Sequence, residues 1–276
     1  MRWKQFFTPV KSVNAKEAKE FMAGKSQDDF TLLDVRQPGE YERNHIPGSK
    51  LIPIGELEKR LDEIDPDKPV LTYCAIGGRS RVAAQMLAGK GFGQVINMAG
   101  GIKAWDDPVA FGSEEQGLEL LTGKESVEET LIIAYSLEAG LRDFYLTMIG
   151  KVTGDEVKSL FQKLSDIEVL HQNRIFEEYI NITGKEIDRD AFESDRLEKA
   201  VEGGLTTDEY IQLFKPDWNA PADIVALAMS IEAQALDLYT RSAGRSTDER
   251  SRSVLKKIAE EERTHLEQLA KMMDRL

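Results

Sequence analysis

One cysteine, four glutamates and two histidines are the residues of this 276-residue chain whose type and spacing can do chemistry. Cys74 ends the apolar run VLTYC, ahead of the loop AIGGRS and the helical pattern RVAAQMLAGKGF. A thiol at a helix N-terminus meets unpaired backbone N–H groups and the positive end of the dipole, and Arg79 lies close by. All of these favour thiolate, the nucleophilic form. Gly77 and Gly78 let the backbone curl so that its amides converge on an anion. An isolated cysteine is more often buried and inert, but the strand–loop–helix setting reverses that expectation.

The second set lies in a repeat. AYSLEAGLRDFYLTMIG (134–150) aligns with AMSIEAQALDLYTRSAG (228–244) at an offset of 94, and the same offset brings Glu168 onto Glu262 and His171 onto His265 without a gap. Twelve of the 38 pairs from Ala134 to His171 are identical, which points to an old duplication of a helical hairpin. Each half supplies one glutamate on its first helix (Glu138, Glu232) and a Glu-x-x-His on its second (Glu168/His171, Glu262/His265). Residues three apart share a helix face, so each Glu-x-x-His can reach one centre. Glu138 and Glu232 both stand among apolar neighbours, where a charge is costly unless it is paired or metal-bound. Two of the chain's three histidines fall in these motifs.

The elements that must position these groups differ along the chain. In the first third, strands at Phe30–Val35, Val70–Tyr73 and Gln94–Met98 alternate with helices at Ala15–Ala23, Glu56–Ile64 and Arg79–Lys90. This order predicts an α/β domain with a largely parallel sheet, whose sites lie at strand carboxyl ends. After Trp105 a linker-like stretch merges into helix, and from there the periodicity is helical. The expected division is a domain at 1–110 and a second at 111–276, with 176–221 as a long connection between the repeats. The net charge of −13 agrees with it: residues 1–110 carry +1 and the remainder −14.

Hydrophobic residues at 41% and charged residues at 31% predict a globular protein with a sizeable core. The acidic balance argues against a nucleic-acid partner. No apolar run has the length of a membrane span, and the opening MRWKQFFTPVKSV holds no hydrophobic segment of signal-peptide length. A single cysteine excludes an intrachain disulfide and any zinc ribbon or rubredoxin site built from CxxC pairs. A cytoplasmic protein without a membrane partner is expected, with a homodimer as its assembly.

LLDVRQPGEYERNHIPGSKLIP, YCAIGGRS and INMAGGIKAW, in this order, resemble a single-domain rhodanese over roughly residues 8–107. Asn44 and Ser49 depart from the family's usual Gly and Ala. The resemblance implies that Cys74 accepts a sulfane sulfur as a persulfide, cradled by Ala75, Ile76, Gly77, Gly78 and Ser80, while Arg79 helps to hold the anionic donor. Thiosulfate, polysulfide and a thiol persulfide are the implied donors. Phosphatases of similar fold have a Cys-x5-Arg loop wide enough for phosphate; Cys74 to Arg79 is one residue shorter, which favours sulfur. Asp34, Arg36 and Glu40 are expected to form a structural ion-pair set, and His45 a packing role.

The paired Glu and Glu-x-x-His pattern resembles the ferritin-like, rubrerythrin-type family over about residues 116–276, a four-helix bundle. The resemblance implies that Glu138, Glu168, His171, Glu232, Glu262 and His265 ligate two metal ions, with Glu168 and Glu262 as bridges. Hard carboxylates with one imidazole per metal suit iron or manganese. Ala235 stands where rubrerythrin itself has an extra glutamate, and no rubredoxin-like CxxC pair is present to deliver electrons, so an external, unidentified electron donor or sulfur at Cys74 is implied as their source. Tyr135, Tyr145 and Tyr239 are read as core packing, with a redox or hydrogen-bonding role as the alternative. The expected function joins sulfane-sulfur transfer to a di-iron (or di-manganese) redox centre acting on peroxide or dioxygen. The alternative is a metal-storage or metal-sensing protein whose rhodanese module only carries sulfur.

Overall fold

The structure is a computed structural model that describes residues 8–26, 28–193 and 207–276. The chain divides into two compact units, Met1–Glu114 and Glu115–Leu276.

The first unit is built on a five-stranded, wholly parallel sheet in the order β1-β5-β4-β2-β3. Its strands are β1 (Lys11–Val13), β2 (Thr31–Asp34), β3 (Lys50–Leu51), β4 (Val70–Tyr73) and β5 (Val95–Met98). Central β4 is buried along its whole length, with Leu71 flanked by Leu32 of β2 and Ile96 of β5. Separate apolar clusters pack on the two faces: one holds Leu33, Val35, Ala83 and Leu87, the other Leu32, Ile46, Tyr73 and Ile96. Helices α1 (Ala15–Met22), α2 (Pro38–Tyr41) and α3 (Gly78–Gly89) complete the unit. A capping box between Asn14 and Glu17 starts α1.

Two local features differ from the pattern in the sequence. Glu56–Ile64 forms two short 3₁₀ turns, Leu57–Lys59 and Leu61–Glu63, not one helix. Gly55 and Pro66 bracket the segment, and a run that short does not repay α-helical nucleation. Strands β1 and β3 were not legible because both are edge strands, two or three residues long and partly polar.

In the second unit α4 (Val127–Ile149) pairs with α5 (Asp155–Thr183), and α8 (Pro221–Arg245) with α9 (Glu249–Met273); α4 also meets α9, and α5 meets α8. A capping box between Ser126 and Glu129 starts α4, and Asp248 caps α9 by accepting from Ser251 N. α5 runs on to Thr183 and ends at Gly184 with φ 64°, so the connection between the repeats begins there and not at 176. It contains α6 (Arg189–Glu193) and α7 (Thr207–Phe214); residues 194–206 of the expected connection lie outside the described residues. No helix among the described residues is long and apolar enough to cross a membrane.

The bundle core is split in two. One cluster holds Leu131, Ala134 and Tyr135 of α4, Ile175 of α5, Ala235 and Tyr239 of α8, and Val254 and Ile258 of α9. The other holds Leu141 and Tyr145 of α4, Phe161 and Leu164 of α5, Ile224 and Ile231 of α8, and Leu269 of α9. On every helix the change from one cluster to the other falls at the glutamates and histidines singled out above.

Candidate functional sites

Cys74 follows the last residue of β4 directly and is 1% exposed. Its sulfur accepts from Gly77 N–H at 3.1 Å. Gly77 is the N-cap of α3 and has φ 93°, and an added Cβ there would lie 2.9 Å from Gly100 N. Burial pushes the thiol pKa up; the Ser80 hydroxyl and the amides of Ser80, Ile76 and Gly77 overcome this and bring it below the ordinary value. Ser80 Oγ lies 3.5 Å from the sulfur and 2.7 Å from Asn97 Oδ1, within reach of both acceptors. Asn97 in turn donates from Nδ2 to Ser12 Oγ at 3.2 Å. A second segment fastens the loop from outside. Ile102 N–H donates to Cys74 O at 2.8 Å, and Lys103 N–H donates to Ala75 O at 3.1 Å. Gly101 between them and the strand has φ 59°, and a Cβ there would sit 2.2 Å from Cys74 O.

Arg79 is engaged with Glu40, through Nη1 to Oε2 and Nη2 to Oε1, both at 2.6 Å. This pair holds the Glu40 carboxyl at about 2 and raises the Arg79 pKa, to which nearby Cys74 also contributes. Asp34 and Arg36 do pair, Nη2 to Oδ2 at 2.6 Å and both buried, but Glu40 is bonded to Arg79 of the cysteine loop. His45 is fully buried, stacked on Tyr41 with centroids 3.6 Å apart, its Nδ1 3.0 Å from Tyr41 O. Asn97 and Gly101 were missed in the sequence. The signals were a lone amide in the apolar run VINM and a glycine pair one residue after that strand.

In the bundle the six residues come together as two buried triads, Glu138/Glu168/His171 and Glu232/Glu262/His265. Within each triad the potential ligand atoms all lie within 4.8 Å of one another. His171 Nδ1 is 2.9 Å from Glu168 Oε2 and 3.2 Å from Glu138 Oε2. His265 Nδ1 is 3.1 Å from Glu262 Oε2 and 3.6 Å from Glu232 Oε2. The two imidazoles stack with centroids 3.7 Å apart and planes 7° from parallel, which sets the triads side by side. Burial drives the Glu168 carboxyl far above its usual value, helped by Glu138. It would lower His171, yet the Glu138 and Glu168 carboxylates raise that imidazole to about 11.

These residues fit a metal pair. Two carboxylates converge on a single imidazole nitrogen in each triad, and one N–H cannot serve both. Four carboxylates buried together need opposite charge, a demand that two divalent cations would meet in full. Tyr135, three residues before Glu138, is held elsewhere: its hydroxyl donates to Glu193 and receives Arg189 Nε at 3.1 Å.

Comparison with known proteins agrees with both halves. Residues 14–108 match the family description Rhodanese-like domain, and residues 129–273 match Rubrerythrin. The first segment is 44% identical over 87 residues to the uncharacterized protein YqhL of Bacillus subtilis, covering 32% of this chain and 68% of that one. It is 38% identical over 78 residues to a sulfurtransferase of Allochromatium vinosum (28% and 73% of the two chains). It is 34% identical over 80 residues to the thiosulfate sulfurtransferase GlpE of Pseudoalteromonas translucida (29% and 76%). With a parallel α/β unit carrying the cysteine loop and a helical unit carrying paired Glu-x-x-His motifs, the chain belongs to the rubrerythrin family and bears a rhodanese-like sulfurtransferase domain ahead of it.

Proposed function

We propose that the protein transfers sulfane sulfur through a persulfide on Cys74 and holds, in its second domain, a carboxylate-bridged pair of iron or manganese ions. The proposed domains, 1–110 and 111–276 as read from the sequence, part within four residues of the division between the two compact units. The sulfur reading is carried by the Cys74 thiol, buried yet lowered in pKa by amides directed at its sulfur. In this reading the thiolate of Cys74 attacks the outer sulfur of a small donor. The amides of Ala75, Ile76, Gly77, Gly78 and Ser80 then surround the bound sulfur, and Arg79, in its pair with Glu40, stands beside it. Thiosulfate, polysulfide and thiol persulfide all meet the chemical requirement, and the likeness to thiosulfate sulfurtransferases supports a donor of this kind.

The metal reading is carried by the split core, because four helices each place acidic or imidazole groups in one layer between two apolar clusters. Glu138 and Glu232 would each cap one metal, His171 and His265 would each supply one nitrogen, and Glu168 and Glu262 would be shared. Bound there, iron would supply redox chemistry toward peroxide or dioxygen. The chain's own residues exclude water with the two apolar clusters and fix the ligands from rigid helices. With no cysteine pair in this sequence, electrons would come from an external donor or from sulfur at Cys74.

Elemental analysis after anaerobic loading with iron or manganese, followed by peroxide consumption with an added reductant, tests this half. Two ions per chain and accelerated consumption support it. Two ions without consumption would instead favour metal storage or sensing, with the rhodanese module as a sulfur carrier. Fewer than one ion per chain would reject both.

A further inference from the structure

The three donor types differ most in charge. Thiosulfate brings two negative charges to a thiolate, whereas a thiol persulfide brings at most one at its reacting end, together with an organic body. A site that prefers the dianion needs a cation free to meet it. The cysteine loop has one cation, Arg79, and both of its terminal nitrogens are bonded to Glu40 at 2.6 Å in a fork-to-fork pair. Glu40 is itself fixed, accepting Gln37 N–H at 3.1 Å in the first turn of α2. Arg36, at the end of β2, is likewise spent on Asp34. The loop's side chains are thus neutral in sum before the thiolate forms. Two residues beyond Cys74, Ile76 is 69% exposed and shows an apolar surface at the rim.

We infer that Glu40 sets donor specificity: by holding Arg79 in a neutral pair it makes the cysteine site favour thiol persulfides over thiosulfate, with the donor's organic part lying on Ile76. The inference rests on the sulfur-transfer reading above and narrows its donor. Cys74–S⁻ attacks the outer sulfur of R–S–SH; the Cys74–S bond forms and the donor S–S bond breaks. R–S⁻ leaves with the electron pair, and the enzyme is left as Cys74–S–SH. No external oxidant or reductant is consumed. Glu40 acts through Arg79 and is a positioning residue.

The test compares thiosulfate with an uncharged-bodied alkyl persulfide on the full chain, reading one added sulfur on Cys74 by intact mass and kcat/KM for each donor. In Glu40→Gln, Arg79 is released, and the thiosulfate-to-persulfide ratio of kcat/KM should rise about five- to tenfold. Adding Arg79→Gln to that variant should return the ratio toward its starting value. A ratio unchanged or lowered in Glu40→Gln overturns the inference. Should that variant not fold, the native chain still decides: kcat/KM for thiosulfate that is flat or rises with ionic strength supports a neutral site, and a steep fall shows a free cation and overturns it. Wild-type protein that takes up sulfur from neither donor would reject the sulfur-transfer reading itself, a result distinct from any change in ratio.

Discussion

The cysteine loop and the carboxylate layer solve opposite construction problems. Around Cys74 the groups that receive an anion are backbone amides from one contiguous loop, aimed by glycines at 77 and 101 and tied by Ile102 and Lys103. In the bundle the groups that would receive cations are side chains from four helices, and the backbone there is regular. The first site should therefore tolerate many side-chain changes but few backbone changes; the second should show the reverse.

The largest effects come from removing the reacting groups. Cys74→Ser should lower sulfur transfer by at least about a thousandfold while metal content stays at two ions per chain. Retained transfer would remove Cys74 as the nucleophile. In the bundle, replacing His171 and His265 together by Ala should take metal content from two ions to below one. The metal-dependent gain in thermal stability, about 2.7 kcal/mol at a hundredfold excess over the dissociation constant, should vanish with it, and sulfur transfer should persist. Unchanged metal binding in that double variant would contradict the ligand assignment.

A smaller change sharpens the backbone half of the comparison. Gly101→Ala places a methyl 2.2 Å from Cys74 O at φ 59°, which should cost about 1–3 kcal/mol and reduce sulfur transfer. Denaturation followed at Trp105 reads the stability. An equally small side chain inserted in the bundle layer, Glu232→Ala, should leave the backbone in place and show its effect in metal content.

The smallest effect is electrostatic. Glu40 has a folded-state pKa of about 2 against an ordinary 4.5. Its pair with Arg79 thus adds stability that is fully present above 4.5 and is lost as the pH falls toward 2. The contribution is modest for a group this accessible. The Glu40 carboxylate resonance should titrate near 2 and move back toward 4.5 in Arg79→Ala; titration near 4.5 in the native chain would show that the pair does not persist in solution.

Both sites were legible in the sequence to the extent that their geometry is local or repeated. The offset of 94 aligns all six bundle residues because helical register turns spacing directly into a shared face. The cysteine loop was legible because a strand end, two glycines and a helix start lie within seven residues. Partners across the fold were not. Glu40 stands 39 positions from Arg79 and was grouped with its nearer neighbours Asp34 and Arg36. The Ser80–Asn97–Ser12 chain joins the first turn of α3 to β5 and β1, which only the sheet order brings together. Edge strands of two or three residues carry too little periodicity to be read.

The split core bears on how such a bundle came to exist and how it folds. Each apolar cluster draws on α4, α5, α8 and α9, so neither repeat owns a core. A single ancestral hairpin would have left half of each cluster in water, and its stable form would have been a pair of identical chains facing one another. Fusion made that encounter intramolecular, replacing a concentration-dependent assembly by loop closure. The hairpins rest on local contacts, but the layer is complete only when residues 94 positions apart meet, so joining the two hairpins carries a long loop closure that the older dimer would not have had.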